Sequence, residues 1–182
     1  HAGMICEESV SIRAVRRVYG EITGSDAAHL TPRDIFDIAE GTRPGDREAA
    51  RESFRRFGEV AGDVISQALT IIDGIVVLGG GLTGAAKYFM PSLLAEMRGE
   101  IGTFAGDRFP RLQMQTYDLD SPEEAAEFVR EKSVPVAVPH SEERVRYHHI
   151  RQTPVVRSKL GASRAIALGA YAFAIAELDR RQ

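Results

Sequence analysis

The residue order predicts an α/β protein, helix-rich with a small, mainly parallel sheet. Three observations carry that reading. Ile75-Val76-Val77-Leu78 is an unbroken apolar run closed by Gly79-Gly80-Gly81, the pattern of a parallel strand buried on both faces. Asp46 to about Ile72 repeats apolar residues at helical spacing. The order helix, strand, glycines, helix, strand, helix is a β-α-β unit with long helices before and after it.

Each element follows from its own residues. Glu7 to Tyr19 reads as a helix on Val10, Ala14, Val15 and Val18, stopped by Gly20. Thr31 caps a short helix with Pro32 in its first position, and Gly41 and Pro44-Gly45 break it. Asp46 caps the long helix, whose apolar stripe is Phe54, Phe57, Ala61, Ile65, Ala68, Leu69 and Ile72. Asp73-Gly74 is a turn. A helix begins near Gly84 and ends near Gly99 or Gly102, and a second strand covers about Leu112 to Tyr117. Ser121-Pro122-Glu123-Glu124 opens another helix, with acids at its positive end. Val134 to Val138 and Arg144 to Tyr147 form a hairpin. The last helix, Ala162 to about Leu178, is apolar nearly all round and is expected to be buried. Two parallel strands make a thin sheet for this much helix, so further strands are expected before residue 1.

With 182 residues and 43% hydrophobic content the chain can bury a core, as one domain or a large part of two. A net charge of -3 gives no electrostatic footprint for nucleic acid. No apolar run approaches the roughly 20 residues of a membrane helix, and no secretory signal is visible. Cys6 is the single cysteine, so no internal disulfide forms, which fits a reducing cytoplasm. His1-Ala2-Gly3-Met4 does not read as a natural start, and a cut within a longer protein is expected.

The glycine run holds the chemistry. It lies where a strand ends and a helix starts, the place where open α/β sheets bind ligands. Glycine there reaches backbone angles that other residues avoid and lets a flat or anionic ligand touch the main chain. A tight turn without ligand is the plainer reading, yet a turn does not need three consecutive glycines. Gly79-Gly80-Gly81-Leu82-Thr83-Gly84 also matches G-x-G-x-x-G, which raises a dinucleotide site. Against it, about 70 residues of helix come first, and Asp118 lies beyond the roughly 20-residue spacing expected of the acidic partner.

Several landmarks together resemble the C-terminal half of the ROK family of sugar kinases, which are glucokinase-like members of the actin-like ATPase (ribonuclease H-like) superfamily. They are Asp34-Ile35-Phe36 through Ala39, Gly45-Asp46 with Ala49, Phe57-Gly58, Asp73 through Gly81, and Gly161 through Ala170. The resemblance spans nearly the whole chain, residues 1–182. It implies that Gly79, Gly80 and Gly81 form the adenosine side of a nucleotide site. It also implies that Glu7, with Ser11 four residues on and then Ala14-Val15, contacts sugar hydroxyls. Glu8 stands one position off that pattern. Two solvated acids at a helix start are the plainer alternative.

The same resemblance implies ATP with Mg2+ and a hexose as partners, and two lobes that close over both. The chain holds no Asp-x-Gly-x-Thr or Gly-Thr-Gly phosphate loop, no Glu-x-Gly-His sugar motif, no Cys-x-Cys-Gly zinc motif and no general base of the family type. These are expected upstream of residue 1, in an N-terminal lobe that the chain lacks. Zinc therefore stays open, no residue is assigned as catalytic, and negligible turnover is expected of the chain alone. Uncovered apolar faces lead to an expectation of self-association or marginal stability. The family also includes sugar-responsive transcriptional regulators, a second reading in which an upstream segment would bind nucleic acid; a Rossmann-type enzyme is the third. His148-His149 chelates poorly, because neighbours in a strand point to opposite faces.

Overall fold

A computed structural model of the chain describes residue 3 and residues 5–181. A 3-10 turn at Cys6–Glu8 precedes α1 (Ile12–Thr23), α2 (Pro32–Glu40) and α3 (Arg47–Ile71). Then come β1 (Val76–Leu78), a 3-10 turn at Gly81–Ala85 and α4 (Ala86–Met97). β2 (Glu100–Gly102), β3 (Arg108–Pro110), β4 (Gln115–Asp118) and α5 (Pro122–Val129) follow. The chain closes with β5 (Val134–Ala137), β6 (Arg144–Tyr147), β7 (Gln152–Arg157) and α6 (Ala162–Arg180).

The helix starts follow local chemistry. The Thr31 hydroxyl accepts the Asp34 N–H while the Asp34 carboxylate accepts the Thr31 N–H, a reciprocal cap on α2. Asp46 accepts the Ala49 N–H at 2.9 Å to open α3. The first helix departs from expectation. It starts later, at Ile12, and runs through Gly20 to end at Gly24, whose φ of 65° suits the left-handed cap. Gly20 is glycine for a different reason. The chain after α1 folds back so closely that a Cβ there would lie 2.8 Å from the Ser25 carbonyl oxygen.

The core sits between α3, α4 and the sheet. Phe54 and Ala50 of α3, Phe89, Leu93 and Met97 of α4, and Val155 of β7 are buried together. Gly58 and Gly62 let α3 and α4 touch backbone to backbone: a Cβ at Gly58 would meet the Phe89 carbonyl oxygen at 2.1 Å. The expected stripe on α3 holds from Phe54 to Leu69, but Ala68 and Ile72 are exposed.

The main sheet has the order β1-β7-β4 and is parallel throughout, with Val76 opposite Val155 and Thr116 opposite Thr153. Its central strand, β7, is not among the expected strands, because Pro154 interrupts the apolar run and proline removes a ladder donor. The register removes the conflict. Ser158 donates its N–H to the Leu78 carbonyl, so even-numbered residues of β7 face β1, and Pro154 faces the stretch before β1 begins. There the Thr153 hydroxyl donates to the Gly74 carbonyl at 2.9 Å instead.

Two expectations about burial are corrected. β1 is an edge strand with one bare face: Val77 is 60% exposed, while Val76 and Leu78 turn to the core. α6 does not lie in the core, for every side chain described along it except Glu177 is exposed. Its apolar composition is real, but no element among the described residues covers it. The hairpin of β5 and β6 forms as expected. A second one, β2 with β3, turns through Gly106 at φ 95° and was not foreseen.

Candidate functional site

The carboxyl end of β1 leads straight into the glycine run. Gly80 has φ 99° and ψ -179°, a region that side-chain-bearing residues avoid, so the backbone path itself requires glycine here. Its neighbours have no such reason within the chain. A Cβ at Gly81 would meet nothing within 4 Å, and one at Gly79 only the Ser158 Cβ at 4.0 Å. The space above the run is open. The Thr83 hydroxyl donates to the Gly80 carbonyl at 2.8 Å and pins the turn.

Glu7 and the glycine run meet in one place. Glu7, Ser11, Leu78, Gly79, Gly81 and Thr83 line a single cavity of about 370 Å3, and Phe57, Leu82, Phe89 and Leu93 contribute its apolar wall. Few polar groups in an apolar concavity is the usual make-up of a small-molecule site. Gly80 shapes the rim without lining the cavity. Glu8 is outside it. Both acids are gripped by Arg13, whose guanidinium lies 3.1 Å from Glu7 and 2.7 Å from Glu8. Hydrogen bonding to Glu8, and the charges of both acids, hold the Arg13 pKa above its ordinary value.

Residue order alone did not mark Ser11, Leu82 or Thr83 as site residues. Ser11 had entered only as a spacing landmark, yet its place just ahead of α1 is the signal that could have singled it out. Ser158 stands beside Gly79 across the β1–β7 pairing. The dinucleotide alternative fits poorly. The G-x-G-x-x-G run enters a 3-10 turn rather than an α-helix, and β7 separates β1 from Asp118 at the end of β4. A larger groove, about 790 Å3, follows the outer edge of β4 and shares no residue with the Gly79 cavity. Among the described residues no group of three or more potential metal ligands converges, and no helix is long and apolar enough to cross a membrane.

No family model and no curated protein matches the sequence. A solved structure does: glucokinase from Parabacteroides distasonis ATCC 8503 at 49% identity, with a TM-score of 0.79 over 94% of this chain. The chain resembles part of a glucokinase. It spans 46% of the length of that glucokinase. The helix-rich architecture with its small parallel sheet is therefore similar to that of part of a glucokinase, and the resemblance read from the sequence holds at that level.

Proposed function

We propose that the chain forms one wall of an ATP-dependent kinase acting on a glucose-like hexose. The observation that carries this reading is the shared cavity, which puts Glu7 and the glycine run within one small-molecule-sized space. The similarity to a glucokinase supports the choice of reaction.

In that reaction a sugar hydroxyl attacks the γ-phosphorus of ATP, the bond to the bridging oxygen breaks, and ADP leaves while the hydroxyl proton passes to a base. Such catalysis is mostly positioning and neutralisation of charge. The chain's share is positioning. The bare backbone of Gly79–Gly81 gives the adenosine portion a flat surface, and the free space over Gly79 and Gly81 is what that contact needs. Glu7 accepts hydrogen bonds from sugar hydroxyls at the other end, held in place by Arg13. Phe57, Leu82 and Phe89 exclude water between them. Glu7 is the one carboxylate among the described residues lining the cavity, and it is already paired with Arg13, so this wall is assigned no magnesium ligand. Magnesium accompanying the nucleotide would be held by the phosphates and by groups outside this wall.

Binding of ATP and of D-glucose, followed through backbone amide shifts, tests the proposal. Nucleotide should move the Gly79–Thr83 resonances and glucose those near Glu7. Gly80→Val should abolish the first response. ATP that leaves the glycine run untouched would remove the reading. In a coupled ADP-release assay the chain alone should show negligible glucose-dependent turnover.

A further inference from the structure

We infer that Ser11 is a second hydroxyl-recognising contact of the Gly79 cavity, acting beside Glu7 on a neutral polyhydroxylated ligand; this rests on the sugar-kinase reading above. Ser11 is the N-cap of α1, with extended φ of -133° and ψ of 174°. Serine is favoured there because its hydroxyl normally takes an N–H of the first turn. The chain uses that bond elsewhere: Thr31, Asp46 and Ser121 each accept one, from Asp34, Ala49 and Glu124. Ser11 does not. The Ala14 N–H goes to the Ser11 carbonyl at 3.1 Å instead, which leaves the hydroxyl spare.

That spare hydroxyl is shut away from water and has no hydrogen-bond partner among the described residues. A buried polar group left unpaired is costly, and native structures keep few of them. Ser11 nonetheless lines the cavity, four residues after Glu7. Turning about χ1 toward the cavity breaks no existing bond, so a ligand hydroxyl gains a partner at no expense to the fold.

The neighbours define what the ligand must be. The Thr83 hydroxyl is spent on Gly80, and the remaining side chains of the wall are hydrocarbon. Thr83 keeps only acceptor capacity, so among the described lining side chains Ser11 is the one with a donor to offer. Glu7 accepts only, whereas a serine hydroxyl both donates and accepts. Together they suit neighbouring hydroxyls of one molecule. Directly beside Glu7 the carboxylate disfavours an anionic group, so neutral hydroxyls suit that end of the cavity.

Ser11→Ala in the 182-residue chain separates this role from a structural one. Thermal melting without ligand should be unchanged or slightly raised, since the lost hydroxyl bonded to nothing. D-glucose affinity, read from amide shifts, should fall about five- to tenfold, the worth of one hydrogen bond. Ser11→Thr, which keeps the hydroxyl, should retain binding. A lowered melting temperature for Ser11→Ala would show a structural cap and overturn the inference. Equal glucose affinity in both forms would overturn it too while leaving the sugar-kinase reading intact. A parent chain that gives no glucose response at all would sink both.

Discussion

Arg98 and Glu124 pair with each other and together close the outer edge of β4. The Arg98 guanidinium donates from Nε and Nη2 to the Thr116 carbonyl at 3.2 and 3.0 Å, and Glu124 accepts the Asp118 N–H at 2.7 Å. The two side chains take the place of a neighbouring strand, using one carbonyl and one N–H that would otherwise invite edge-to-edge pairing.

Breaking the pair should therefore do two things. Arg98→Ala leaves the Thr116 carbonyl without its donors and should cost about 1–3 kcal/mol in urea unfolding. It should also raise the tendency to aggregate, read by light scattering. Unchanged stability would mean that water satisfies that edge equally well.

Gly58 is required by packing rather than by backbone angle. A methyl group there would meet the Phe89 carbonyl oxygen at 2.1 Å and the Ser92 hydroxyl oxygen at 2.3 Å, so α3 and α4 would have to separate. Gly58→Ala should lose about 1–3 kcal/mol, against the small gain that alanine brings to an open helix. The denaturation midpoint gives the sign directly.

Stability should fall in acid along a limb set partly by Glu52. Hydrogen bonding from Arg55, helped by Arg56, lowers the Glu52 carboxyl from its ordinary 4.5 to about 2. A depressed carboxylate contributes stability that is fully present above about 4.5 and is lost as pH falls toward about 2. Glu52→Gln should flatten that limb in urea midpoints taken across pH, by no more than the ~0.3–0.5 kcal/mol of each exposed helical pair.

The bare apolar surfaces should drive association. Ile71, Ile72, Ile75 and Val77 are exposed around the end of α3 and β1, and Ile166, Tyr171 and Phe173 along α6. Sedimentation should show concentration-dependent self-association, and Val77→Lys with Ile72→Lys should weaken it. A monodisperse monomer at high concentration would show that these faces tolerate water.

Residue order by itself determined the presence of the helices, the N-caps of α2, α3 and α5, the β1 strand with its glycine run, and the hairpin of β5 and β6. It also pointed to Glu7 and Gly79–Gly81 as site candidates. Those features depend on neighbours a few positions apart: Thr31 with Asp34, Asp46 with Ala49, Ser121 with Glu124. Tertiary structure alone decided what depends on partners far along the chain. It made β7 the central strand despite Pro154, because Gly74 lies 79 residues before the companion residue Thr153 that serves it. It carried α1 through Gly20 and gave Gly20 and Gly58 their reason to be glycine, since only the packed chain shows what a side chain would strike. It brought Glu7 to the same cavity as Gly79, and it left the hydroxyl of Ser11 without a partner there. Apolar composition likewise tells how much surface α6 would bury, but only the arrangement of its neighbours decides whether anything covers it.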